Sequence, residues 1–384
     1  MNIFQKCLVI LGILFLVFVV GGIGGIVIRD RLIPYLISEY PAFSRSGFLT
    51  GLSGNVTVIE RTEQLVVRED DSVDAIISQP ATAVVNLVVS GGSDDGESRT
   101  GVLMTNDGVI VSSGAFVSRT ANATADPVSY HALLFDGTSH EARMIGTDVL
   151  TGLSFFRIDG DSFPAIALAN SDDARPGRKL VAIGNAYEEY QNRFSVGVLG
   201  QRDKVFNISG TTAASSERWE GVFGTDIADA DEYVGGPAVD FRGEMVGLFG
   251  SVPIDGSPRS YLLPSNVVRT SFERAMAGTL DARPVLGVYY RTLTRASAIA
   301  AEAGSRDRGA MIYSPSGRTG LAVISGSPAA SAGLRYGDII VSVNGTEVDL
   351  DHPLPSLIGV LSTGDTAELS IVRNGQIMAI PVQF

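Results

Sequence analysis

The sequence predicts a mainly β chain: a larger domain of many short strands, then a compact α+β domain, behind one apolar N-terminal segment. Three observations carry this. Short apolar runs separated by turn residues recur from Ala83 to about Ser251, the spacing of a sandwich or barrel pair. The 44 glycines fall mostly singly between those runs, which suits a turn-rich β protein better than a helical one. Near Val285 the pattern resets and ends on a strand pair joined by Asn374-Gly375, a strong two-residue hairpin signal.

Leu8 to Ile28 is an uninterrupted apolar run, long enough as a helix to cross a hydrocarbon layer of about 30 Å. Lys6 flanks one end and Arg29, Asp30 and Arg31 the other. No small-x-small cleavage site follows Ile28, so an uncleaved single-pass anchor is expected over residues 1–29. The flanking charges balance and do not orient it. Gly21 and Gly25 form a GxxxG, which chance explains in so glycine-rich a run. Cys7, the one cysteine, excludes an intramolecular disulfide and thiolate metal clusters.

Residues 30–75 read as a linker, with Pro34, Pro41 and the acidic run Glu69-Asp70-Asp71, and a short helix is expected to begin near Asp71-Ser72. The β domain is expected over 76–280. Its strands are Ala83–Ser90, Gly101–Thr105, Gly108–Ser113, His131–Gly137, Glu141–Asp148, Leu153–Ile158, Lys179–Gly184, Phe194–Gly200 and Gly243–Gly250. Residues 264–277 read as a helix capped by Ser265 and stopped by Gly278. The last domain is expected over 281–384. It holds a second hairpin signal at Asn344-Gly345 and a possible helix over Ala296–Ala303 in an insert-like stretch.

The formal net charge of −13 disfavours a phosphate backbone as partner, so nucleic acid is not expected. Three scattered histidines, His131, His140 and His352, lack metal-ligand spacing, and no phosphate-binding loop is present, so neither metal nor cofactor is expected.

Specific words now narrow the reading. SPAASAGLRYGDIIVSVNGTEV (Ser327–Val348) resembles a PDZ segment: Ala329, Ala330 and Leu334 pack a short helix, Gly333 ends it, and Gly337-Asp338 turns into the strand of Ile339, Val341 and Val343. TNDGVIVSSGAFV, IGTDVLTGLSFFRI and FGTDIADADEYVGGPAVDFRGEMVGL resemble, in order, the three motif segments of the membrane-anchored HtrA family of serine proteases. The resemblance covers about residues 70–384 and implies a trypsin-like double β-barrel followed by a PDZ domain. It also implies extracytoplasmic soluble domains, a bacterial cytoplasmic membrane and a homo-trimer.

Trypsin-type hydrolysis needs a hydroxyl nucleophile, an imidazole base and an orienting carboxylate. Carried over one by one, the histidine falls on Ala115, the aspartate on Gly152 and the serine on Val234. The glycine that shapes the oxyanion hole falls on Glu232, whose carboxylate would oppose a developing oxyanion. A shifted alignment does not restore them, because no histidine precedes Tyr130 and no serine lies between Ser216 and Ser251. No substitute set is expected. His131 reads as a half-exposed strand histidine despite Asp148 in the same domain, His140 as a solvated turn residue, and Ser112 and Ser113 as serines with nothing nearby to activate them.

A PDZ domain binds peptide C-termini by strand addition, with backbone N–H groups of a loop on the carboxylate. The resemblance puts that loop at Val285-Leu286-Gly287-Val288, where Val285 departs from the family's aromatic, and the groove helix near Leu354–Leu361, where Leu354 and Ile358 are i,i+4 neighbours that read equally as groove or as core. The expected binding residues are therefore Leu286, Gly287, Val288 and Ile358, the expected partners protein C-termini or unfolded peptides and the membrane. The leading expectation is a non-catalytic sensor or scaffold in envelope protein quality control. An active endopeptidase, as the family label implies, and a regulatory subunit in a mixed oligomer are the alternatives.

Overall fold

The computed structural model describes residue 21 and residues 73–384, apart from 92–96, 115–127, 186–191, 212, 255, 300–305 and 317–320. The chain divides into two compact units, Met1–Val67 and Arg68–Phe384, and every strand described belongs to the second. Among the described residues no helix is long and apolar enough to cross a membrane. The apolar run Leu8–Ile28 lies outside the described residues except for Gly21.

A helix, α1 (Val73–Thr82), leads into a six-stranded closed barrel: β1 (Val84–Ser90), β2 (Ser98–Leu103), β3 (Val109–Ser113), β4 (Ser129–Leu133), β5 (Ser139–Asp148) and β6 (Leu153–Ile158), in the order β1-β2-β3-β6-β5-β4. A second closed barrel uses β7 (Lys179–Asn185), β8 (Asn192–Asn207), β10 (Glu220–Thr225), β11 (Pro237–Val239), β12 (Met245–Ile254) and β13 (Ser257–Pro264), in the order β10-β13-β12-β11-β7-β8. The two-residue strand β9 (Ala214–Ser215) leaves this barrel altogether. Closure removes the sheet edges, and alternating Val, Ile, Leu and Phe fill the interiors. β6 is buried along almost its whole length because it packs on both faces. Phe155 stands 6.5 Å from Phe272 of the helix α2 (Ser265–Met276) that follows the second barrel.

The C-terminal domain comprises β14 (Tyr289–Thr292), α3 (Arg295–Ile299), β15 (Ala310–Ile312), α4 (Pro328–Ser331), β16 (Ile339–Val343), β17 (Thr346–Glu347), α5 (Leu354–Gly359), β18 (Thr366–Arg373) and β19 (Gln376–Gln383). Its sheet runs β19-β18-β16-β15-β14-β9, with β17 on β16, so the edge strand beside β14 comes from the other domain. Both Asn-Gly pairs adopt left-handed φ at both positions (49° and 81°, 52° and 79°), as two-residue hairpins require. Ser327 caps α4 by accepting from the Ala330 amide at 3.2 Å. Buried Asp338 ties the following turn to Arg373 at 2.6 Å.

Several expectations shift. Ser265 does not cap α2: Pro264 holds the cap position, and the buried Ser265 hydroxyl donates to the Ala169 carbonyl at 2.7 Å. A tertiary acceptor at bonding distance outcompetes the local cap. His140 is not a turn residue but the second residue of β5, edge-on to Phe163 at 5.3 Å. The strand expected at His131–Gly137 spans Ser129–Leu133, because Asp136-Gly137 forms the turn instead. Helix α3 covers Arg295–Ile299, and the rest of the expected helix lies outside the described residues.

Candidate functional site

The two barrels meet across a cleft of about 470 Å³ lined by Arg99, Thr100, Asn185, Glu232 and Val234 among others. Of the expected positions, Glu232 and Val234 line it. Ala115 lies outside the described residues, but its neighbour Gly114 donates its amide to the Gly152 carbonyl at 3.1 Å. Gly152, in the turn before β6, has a left-handed φ of 71°. Val234 follows the 3-10 turn Ala230–Tyr233 and is half-buried. Gly235 has no room for a side chain, since a Cβ would strike the Thr100 carbonyl and the Ser112 hydroxyl of the first barrel.

The chemistry of this cleft follows from its backbone. The Glu232 amide donates to the Asp229 carbonyl at 2.9 Å and the Val234 amide to the Asp231 carbonyl at 3.5 Å. Both N–H groups thus have acceptors within their own loop. Tyr233 anchors the turn: it is buried against Phe249 with ring centres 6.0 Å apart, and burial pushes its hydroxyl pKa up. The Glu232 carboxylate pairs with Arg193. Ser112 is fully buried and donates to the Thr100 carbonyl at 2.6 Å, while Ser113 bonds Tyr261, whose pKa burial raises to about 12. Asp148 serves no histidine: its buried carboxylate accepts from Arg283 and Ser271, each at 2.6 Å, and from the Leu150 amide at 3.1 Å. His131 stands across from Glu141 on β5, and exposed His352 sits 3.1 Å from Asp349 in the C-terminal domain.

A second candidate site lies at the start of β14. Leu286 and Val288 point into the core, fully buried. Between them Gly287 adopts φ 83°, and a Cβ there would collide with Ser327, so only glycine fits. The Gly287 amide donates to the Glu217 carboxylate at 2.7 Å and the Val288 amide to the Ser216 hydroxyl at 3.1 Å. Buried Ile358, on α5, lines a cavity of about 190 Å³ with Leu150, Leu280, Val285 and Pro355, and Glu217 borders it. Ser216 and Glu217 had no signal in the sequence: Ser-Ser-Glu sits between strands, and a two-residue strand is too short for periodicity to mark.

Next to this loop, Glu220 is buried against the hydroxyls of Tyr290 and Thr292, both on β14. Burial raises its pKa to about 7, with the nearby Asp203 charge adding to the rise. The folded state therefore holds a proton that the unfolded chain, with the ordinary value of 4.5, has already released. This contribution to stability is complete below pH 4.5 and is lost as pH rises through about 7. Thermal unfolding followed from pH 5 to 8.5 is expected to show a midpoint that falls with pH, and Glu220→Gln is expected to flatten that fall. An unchanged slope in the variant would assign it to another group.

Comparison with known proteins agrees with this architecture. Residues 99–248 match the trypsin-like peptidase domain family and residues 284–383 the PDZ domain family. A "probable periplasmic serine endoprotease DegP-like" of Pseudomonas putida is 26% identical over 272 residues, 70% of this chain and 53% of the relative. Its namesake in Chlamydia trachomatis is 28% identical over 279 residues, 72% of this chain and 52% of the relative. The chain thus spans about half the length of these relatives. Among solved structures, the HtrA-type protease AlgW with a tripeptide aligns over 81% of this chain and 96% of its own, at 22% identity and TM-score 0.63. The serine endoprotease from Yersinia pestis aligns over 81% and 97%, at 19% identity and TM-score 0.54. The chain therefore joins a trypsin-like peptidase domain to a PDZ domain and is homologous to the HtrA-type, DegP-like serine endoproteases.

Proposed function

We propose that this chain is a non-catalytic HtrA-like protein that uses its PDZ domain to capture protein C-termini or exposed peptides, as a sensor or scaffold outside the cytoplasm. The observation that carries the reading is the turn at Ala230–Tyr233. Valine follows it where the nucleophile would stand, and the amides of residues 232 and 234 donate to carbonyls of the same loop. Gly152 adds no carboxylate, and Ala115, by its identity alone, adds no base. Loss of a triad member typically costs on the order of 10⁴–10⁶ in rate. The periplasmic naming of the relatives supports an extracytoplasmic location, and the apolar run Leu8–Ile28 supports a single-pass anchor. A homo-trimer, or a mixed oligomer with an active relative, follows from the family resemblance.

The test is incubation of the full chain, in detergent micelles, with casein and with a fluorophosphonate probe that acylates activated serines. No cleavage and no labelling are expected from pH 5 to 9. Hydrolysis that tracks the purified chain, or labelling of any serine, would overturn the non-catalytic reading and restore the endopeptidase named for the relatives.

A further inference from the structure

Strand β9 and the residues after it reproduce, within one chain, the geometry by which a PDZ groove holds a peptide. Ala214 and Ser215 pair antiparallel with Tyr290 and Tyr289 of β14. The ladder continues through the Ser216 amide, which donates to the Val288 carbonyl at 3.0 Å. The next residue, Glu217, then sets its carboxylate on the Gly287 amide at 2.7 Å. A strand added to the sheet edge, ending in a carboxylate on the loop amide, is the recognition mode of a C-terminal peptide. Here the strand is internal and the carboxylate belongs to a side chain.

The segment is built to hold this pose. Asn207 donates to the carbonyls of Ser215 and Arg218, at 3.1 and 3.0 Å, and accepts from the Ser215 amide at 3.3 Å. The hydroxyls of Ser215 and Ser216 donate to the two oxygens of Glu217, at 3.0 and 2.5 Å, and so aim the carboxylate at the loop. Both serines are buried. One wall stays apolar: the cavity of about 190 Å³ beside Glu217, between Val285 and Ile358, is where the last side chain of an incoming peptide would go.

We infer that residues 214–217 are an internal ligand of the PDZ groove, and that Glu217 stands in for a terminal carboxylate, so an external C-terminus binds by displacing them. The inference deepens the capture function proposed above and rests on it only for the identity of the competitor. Occupancy of the groove by residues 214–217 has its own readout.

The experiment compares the full chain in detergent micelles with its Glu217→Gln and Glu217→Ala variants. Hydrogen–deuterium exchange without any peptide reads occupancy of the groove. Fluorescence polarisation with dye-labelled decapeptides ending in leucine or phenylalanine, each as free acid and as amide, reads capture. Losing a hydrogen bond to a charged acceptor is expected to speed exchange across 286–290 by about ten-fold or more. Binding of the free-acid peptides is expected to tighten by a similar factor, with the amides unaffected. Glu217→Gln, close to isosteric, guards against misfolding, and its thermal midpoint should stay within a few degrees of the parent. Exchange that is unchanged in both variants would overturn the inference, whatever the peptides do. Faster exchange with no binding of any peptide would leave residues 214–217 as the groove's ligand and overturn the capture function instead.

Discussion

Replacing Asp148 by alanine is expected to lower the unfolding free energy by about 3–5 kcal/mol, the cost of leaving a largely buried guanidinium without its partner. Asp148 is fully buried and Arg283 nearly so, and their contact at 2.6 Å joins the end of β5 to the residue that leads into the PDZ domain. The substitution also removes the acceptor of the Leu150 amide, while the Ser271 hydroxyl, which now donates to the carboxylate, keeps Thr151 at 3.1 Å. Trp219, the single tryptophan, reports on this region, because its amide donates to the Leu150 carbonyl at 2.7 Å. Denaturant unfolding followed by its fluorescence should show the midpoint move with little change in slope. The double variant Asp148→Ala, Arg283→Met should recover much of the loss, since an apolar replacement of both partners leaves no charge to desolvate. A loss below about 1 kcal/mol in the single variant would mean that the pair is no stronger than an exposed one.

Restoring the side chains of the triad, by Ala115→His, Gly152→Asp and Val234→Ser together, is expected to restore no hydrolysis. The obstacle is the backbone. With the amides of residues 232 and 234 bonded to Asp229 and Asp231, a tetrahedral intermediate meets no aligned donor. One missing donor alone costs about 10²–10³ in turnover. The Glu232 carboxylate lines the same cleft and brings negative charge to it, offset in part by its pairing with Arg193. Fluorophosphonate labelling of the introduced serine is therefore expected only when Glu232→Gly is added, which frees the turn to open. Labelling of the three-residue variant at the rate of an ordinary serine hydrolase would show that side chains alone decide the matter.

Much of this was legible in the residues. The pattern of Leu153–Ile158 matched its strand end for end, and both Asn-Gly pairs formed the hairpins that their dihedral preferences demand. Short strands with weak alternation escaped: β10, β11 and β13 carry proline, glycine or charge inside them and take their shape from barrel closure. The same holds at the sites. Residue identity at positions 152 and 234 shows which groups are missing, but the direction of an amide is set by tertiary packing, here by buried Tyr233. Likewise the loop at Gly287 could be found from its glycine, whereas its partner Glu217 comes from the turn after β9, in the other domain. No local sequence signal announces a contact across seventy residues.

The sheet that crosses the domain boundary also bears on how the chain avoids its own kind. An uncovered sheet edge offers unpaired N–H and C=O groups to any passing strand and is a template for aggregation. In the intact chain β9 covers the β14 side, and the opposite edge, β19, carries Pro381, which donates nothing to a ladder. Because residues 214–215 are synthesised before β14, the cover is already present when that strand emerges. A PDZ domain cut free at residue 281 would keep its core but lose this guard, and its bare edge would be open to pairing with a second copy.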